Sequence, residues 1–114
     1  MEIKDDIAYL QLMRDAFRKI RLYTSSVDFE SFMANEEKQS AVIMQLAVVG
    51  ELVKKVPQSM REEIDLPWKQ MIGMRDWVAH DYFSLELPQV WETATVSVPE
   101  AEEKIVAYLA AHPL

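Results

Sequence analysis

The apolar positions at the start of the chain recur at helical period. Ile3, Ile7, Leu10, Met13, Phe17 and Ile20 are separated by gaps of 4, 3, 3, 4 and 3, one stripe on an amphipathic helix over residues 3–23. Thr24-Ser25-Ser26 breaks the pattern and can cap a short turn around Asp28–Met33. Asn35, followed by Glu36 and Glu37, offers a capping oxygen and then acids where the helix dipole favours them. The segment from Asn35 to Val56 is the most hydrophobic, and Ala41–Gly50 is apolar on nearly all faces. Such a helix must be covered on most sides, by its own bundle or by a second copy of the chain. Gly50 costs a helix interior about 1 kcal/mol, which is tolerable where another helix crosses closely. Lys54 and Lys55 suit the helix end and Pro57 stops it.

Beyond Pro57 the chain is punctuated by proline. A single turn of helix fits residues 58–63, and Pro67, Pro88 and Pro99 each suit the first turn of a helix. The expected helices are Trp68–Tyr82, Pro88–Val96 and Pro99–Ala111. The two proline starts separate the last two helices, and Thr95, Val96 and Val98 at their junction are β-formers. The whole predicts an all-α fold: an antiparallel helical bundle of four main helices plus short extra helices, in one domain spanning 1–114.

Composition narrows the chemistry. With 114 residues there is room for one domain, and two glycines argue against a chain of hairpins. The net charge of −7 excludes binding to nucleic acid or anionic membranes through a general positive field. The charge is uneven: residues 1–61 hold nine acids and nine bases, residues 62–114 ten acids and three bases. Arg14, Arg18, Lys19 and Arg21 form the densest basic cluster, either a local RNA patch or a solvated helix face. The absence of cysteine removes disulfides, thiolate metal sites and a cysteine nucleophile. A zinc site would need carboxylates beside His80 and His112, and no metal or cofactor is expected. The N-terminus has no apolar signal core and no run is long enough to span a bilayer, so a cytoplasmic protein without a membrane role is expected.

The segment Met74-Arg75-Asp76-Trp77-Val78-Ala79-His80-Asp81-Tyr82-Phe83 concentrates candidate chemistry. On a continuous helix Tyr82 lies about 20° from the line of Arg75, and Asp76 stacks under His80 at i and i+4. Arg75 and His80 are then about 140° apart, which needs a wide cleft, a long Arg reaching sideways, or a helix that unwinds near His80. Histidine can give and take a proton near pH 7, and arginine offers a planar fork that matches phosphate oxygens. Together they suit cleavage of a phosphodiester: a base takes the ribose 2′-hydroxyl proton, an acid protonates the departing 5′-oxygen, and Arg75 holds the charge on phosphorus. A plain structural alternative pairs His80 with Asp76, puts Arg75 in a salt bridge and buries Tyr82. Glu51 lies either at an interface edge or in a pair with a base such as Arg75, and Asp81 is expected to face solvent or meet Lys69.

The motif Arg75-x-x-x-x-His80-x-Tyr82 resembles that of the HepT toxins within the HEPN superfamily. Val49-Gly50-Glu51-Leu52, the approach Leu66-Pro67-Trp68 to Met74, and Val90-Trp91 extend the likeness over roughly residues 35–110. Many members carry Asn after the Arg, where this chain has Asp76. The resemblance implies a homodimer with the motif in a cleft between subunits. It implies a metal-independent endoribonuclease, the toxin of a type VII toxin–antitoxin pair, with RNA as substrate and Arg75 and His80 catalytic. Asp76 and Tyr82 would support them, Asp76 by orienting His80. The implied partner is an MntA-type minimal nucleotidyltransferase, which would neutralise the toxin by AMPylation of Tyr82. The alternative is a non-catalytic helical binding partner of a nucleotidyltransferase.

Overall fold

The computed structural model describes the backbone of residues 2–113 and the side chains of residues 6–113. Helix α1 (Glu2–Thr24) buries the stripe foreseen from its spacing: Ile7, Leu10, Met13, Phe17 and Ile20, with Ala16 between them. Ile3, the first member of that stripe, lies outside the described side chains. Each of the larger side chains contributes ~1.5–3 kcal/mol by leaving water, so this one face anchors the helix. Thr24 ends it by turning its hydroxyl back to the Ile20 carbonyl at 3.0 Å.

Helix α2 (Phe29–Met33) is one short turn, capped by Asp28, whose carboxylate accepts from the Ser31 N–H at 2.8 Å. It inserts Phe32 against Trp91, with ring centroids 5.1 Å apart. Helix α3 (Glu36–Val53) starts at Asn35, whose side-chain oxygen accepts from the Lys38 N–H at 3.0 Å. It is the central helix, packed against α1 on one side and against α5 (Trp68–His80) on another. Val42, Ile43, Leu46, Val49 and Val53 are buried within the single chain. The apolar excess of this helix is therefore largely covered by its own bundle. What remains uncovered is Met44, 60% exposed, with Ala47 and Val48 half-buried beside it.

The end of α3 is closed by α4 (Gln58–Arg61). Arg61 donates to the Val53 carbonyl at 2.8 Å and the Val56 carbonyl at 3.0 Å, filling acceptors that a helix end leaves without partners. Trp68 anchors the start of α5 by donating its indole N–H to the Arg61 and Ile64 carbonyls, both at 3.1 Å.

Two elements differ from those expected. Helix α5 ends at His80, not Tyr82, because Asp81 leaves the helical region (φ −150°, ψ 50°) and Tyr82–Ser84 form a 3₁₀ turn. The break expected before Pro99 is absent. Helix α6 (Leu87–Glu92) passes through a wider π-helical turn at Thr93–Ser97 into α7 (Val98–Ala111). Thr93, Ser97 and Val98 all keep right-handed helical angles. Pro99 sits in the first turn of α7, directly after the π-helical turn. Burial of Val90, Ala94, Val98, Ala101 and Ile105 on one side overrides the β-propensity of the junction. A two-pronged ion pair, Arg21 to Glu102 at 2.8 and 3.0 Å, ties α1 to α7. No helix among the described residues is long and apolar enough to cross a membrane.

Candidate active site

The site is built where α5 crosses α3. Gly50 makes that crossing possible. A β-carbon there would press into the Arg75 side chain and lie 2.7 Å from the Met71 carbonyl oxygen. The missing side chain lets the backbone of α5 rest on α3 and holds the stem of Arg75 against it. This is the close crossing that makes a glycine tolerable in the middle of an apolar helix.

Arg75 is held from two sides. Its Nε lies 3.2 Å from Glu51 Oε1, and its NH1 donates to Asp76 Oδ1 at 3.2 Å. The pairing of Glu51 with Arg75, one of two readings of that acid, is thus present. Glu51 Oε1 is sealed from water and takes no directed hydrogen bond, so it is held by charge alone. Asp76 is half-exposed and has a second cation beside it, Lys54 Nζ at 3.7 Å. No local pattern signals that contact, since 22 positions separate the two residues. Asp76 was expected to orient His80. Its carboxylate instead faces Arg75 and Lys54, and among the described residues it makes no hydrogen bond to His80.

His80 is the last residue of α5 and is exposed. The helix is unbroken from Arg75 to His80 and ends only after it, so the two keep their separation of about 140° and His80 does not line the groove beside Arg75. The 20° alignment of Tyr82 with Arg75 does not hold, because Tyr82 stands on the 3₁₀ turn. That turn is pinned: Trp77 Nε1 donates to Ser84 Oγ at 2.6 Å, and Ser84 Oγ donates to the Asp81 carbonyl at 2.9 Å. Tyr82 is 43% exposed, not a core residue, and its ring meets that of the fully exposed Phe83 edge to face. Asp81 faces solvent, as expected, with no ion pair to Lys69 among the described residues.

Beside Arg75 runs an open groove of about 380 Å³. Glu51 and Arg75 form its polar end, and Met44, Ala47, Val48, Val78 and Ala79 its apolar floor. Among the described residues no three His, Asp or Glu side chains converge to hold a metal ion. A separate cluster shares no residue with this groove. Tyr108 donates to Glu63 at 2.7 Å, and burial together with this carboxylate pushes the phenol up to about 12. His112 is exposed, as expected of the tail, but stacks on Tyr108 with ring centroids 4.0 Å apart.

Comparison with known proteins bears on this geometry. The family described as "Ribonuclease HepT-like" matches residues 13–108. "Putative RNase MJ0125" of Methanocaldococcus jannaschii is 38% identical over 110 residues, covering 93% of this chain and 95% of that protein. "Putative RNase MJ1216" of the same organism is 36% identical over 110 residues, covering 93% and 91%. "Probable ribonuclease HepT" of Thermococcus cleftensis is 31% identical over 97 residues, covering 84% and 88%. No solved structure gives a significant match. A family match over most of the chain, with relatives matched along nearly their whole length, means that this chain belongs to the HepT-like ribonuclease family.

Proposed function

We propose that the chain is a metal-independent endoribonuclease toxin of the HepT/MntA kind, with Arg75 and His80 as its catalytic residues. The observation that carries this reading is the placement of the motif: Arg75 at the polar end of an open groove, with His80 exposed at the end of the same helix. In this reading Arg75 binds a non-bridging phosphate oxygen through its fork. The imidazole of one His80 takes the proton from the ribose 2′-hydroxyl, whose oxygen attacks phosphorus. The His80 of a second copy gives a proton to the departing 5′-oxygen. The bond to the 5′-oxygen breaks, leaving a 2′,3′-cyclic phosphate and a 5′-hydroxyl.

A homodimer is part of the proposal. Met44, Ala47 and Val48 form an uncovered apolar strip that leads directly to Arg75, and joining two such strips would place both motifs in one cleft. Tyr82 is the proposed AMPylation site. Its hydroxyl has no hydrogen-bond partner among the described residues and its ring is half in solvent, whereas the Tyr108 hydroxyl is engaged by Glu63. Each added phosphodiester would bring negative charge and bulk to the edge of the cleft, opposing an RNA phosphate. The test is the chemistry of the ends. RNA cut by the purified protein should carry 2′,3′-cyclic phosphates. Treatment with ATP, Mg²⁺ and an MntA-type nucleotidyltransferase should add AMP to wild type and none to Tyr82→Phe.

The second reading, a non-catalytic partner of the nucleotidyltransferase, is favoured by one observation: both sides of Arg75 already hold carboxylates. Tight binding of the nucleotidyltransferase by a protein that leaves RNA intact would select it.

A further inference from the structure

We infer that Lys54 is a positioning residue of this site: it takes over the Asp76 carboxylate, so that the outer edge of Arg75 is free to receive an RNA phosphate. The inference rests on the ribonuclease reading above and explains how Arg75 serves it while bound to two acids.

The charges decide the matter. Glu51 and Asp76 face Arg75, two negative groups against one positive, at the place where a further negative group must arrive. Lys54 makes the count even. The two acids are not equivalent. Glu51 reaches the inner Nε, and its contacting oxygen is sealed from water, so it holds the root of the guanidinium. Asp76 accepts from NH1 at 3.2 Å, its side chain is about as exposed as that of Glu51, and the Lys54 ammonium stands 3.7 Å from the same Oδ1. A small rotation of Asp76 exchanges one charge-assisted hydrogen bond for another. NH1 is released while Glu51 still holds the guanidinium by charge at 3.2 Å. Lys54 is itself exposed at the end of α3, so its ammonium can follow the carboxylate as it swings. An uncharged amide at position 76 would need no such partner. The requirement for Lys54 is therefore tied to the acid at 76.

The experiment is a double-mutant cycle read as kcat/KM on a short RNA. Lys54→Met should lower cleavage about tenfold in the Asp76 protein and less than about twofold in the Asp76→Asn protein. Lys54→Arg should restore most of the loss, and unfolding midpoints should show that all variants are folded. An equal cost of Lys54→Met in both backgrounds would overturn the inference, because Lys54 would then act on RNA or on the fold directly. No cost in either background would overturn it too. A wild-type protein that cuts no RNA would overturn the ribonuclease reading and this inference with it. A wild-type protein that cuts RNA with an uncoupled cycle would overturn the inference alone.

Discussion

Gly50 and Arg75 are in direct contact across the α3–α5 crossing, with no room for a β-carbon between them. Gly50→Ala gains ~1 kcal/mol of helix propensity but overpacks a closed crossing, a loss of ~1–3 kcal/mol. The variant should unfold at lower denaturant, and RNA cleavage by the folded fraction should fall further than stability does, because α5 must shift and carry Arg75 with it. Urea titration and cleavage assays on the same preparation check this. An unchanged midpoint with unchanged cleavage would show that the crossing opens freely.

Arg75→Lys keeps the charge and loses the fork. A lysine cannot serve Glu51 on one edge and Asp76 on another while binding phosphate. Cleavage should drop about a hundredfold, the scale on which one donor to a developing oxyanion acts. Stability should move by less than about 1 kcal/mol, since both ion pairs have partly exposed members. Equal cleavage by the Lys variant would show that only charge matters at this position.

Much of the fold was legible in the sequence, for local reasons. The stripe of α1 and the cap at Asn35 depend on residues a few positions apart, and both are found as expected. The motif pointed to Arg75, His80 and Tyr82, but angles on an ideal helix misjudged Tyr82 because Asp81 ends that helix. Pro99 does stand in the first turn of the last helix, but the break expected before it is absent. A proline that commonly opens a helix here follows a π-helical turn inside a continuing one. The contacts around Arg75 join α3 to α5. Residue types suggested Glu51 as one option, and nothing local suggested Lys54.

Tyr108 makes a prediction about alkaline stability. Its phenol is raised from 10 to about 12 by burial and by the Glu63 carboxylate, which accepts its proton. A group whose folded value is raised stabilises the fold while protonated. The contribution is therefore full below about pH 10 and is lost as pH rises through about 12. The contact is exposed, so the amount is below about 1 kcal/mol. Tyr108→Phe should flatten the fall in unfolding midpoint over this window and leave RNA cleavage at neutral pH unchanged. An identical fall in both proteins would remove the contact from the account.

The central claim is that Arg75 and His80 form a ribonuclease site that works without a metal. The most direct measurement is cleavage of a defined RNA in excess EDTA by wild type and by His80→Ala, both shown to be folded. The account predicts cleavage by the wild type that EDTA does not reduce, and loss of at least about a hundredfold in the variant. Cleavage that disappears in EDTA and returns with Mg²⁺, or that survives in His80→Ala, would contradict it.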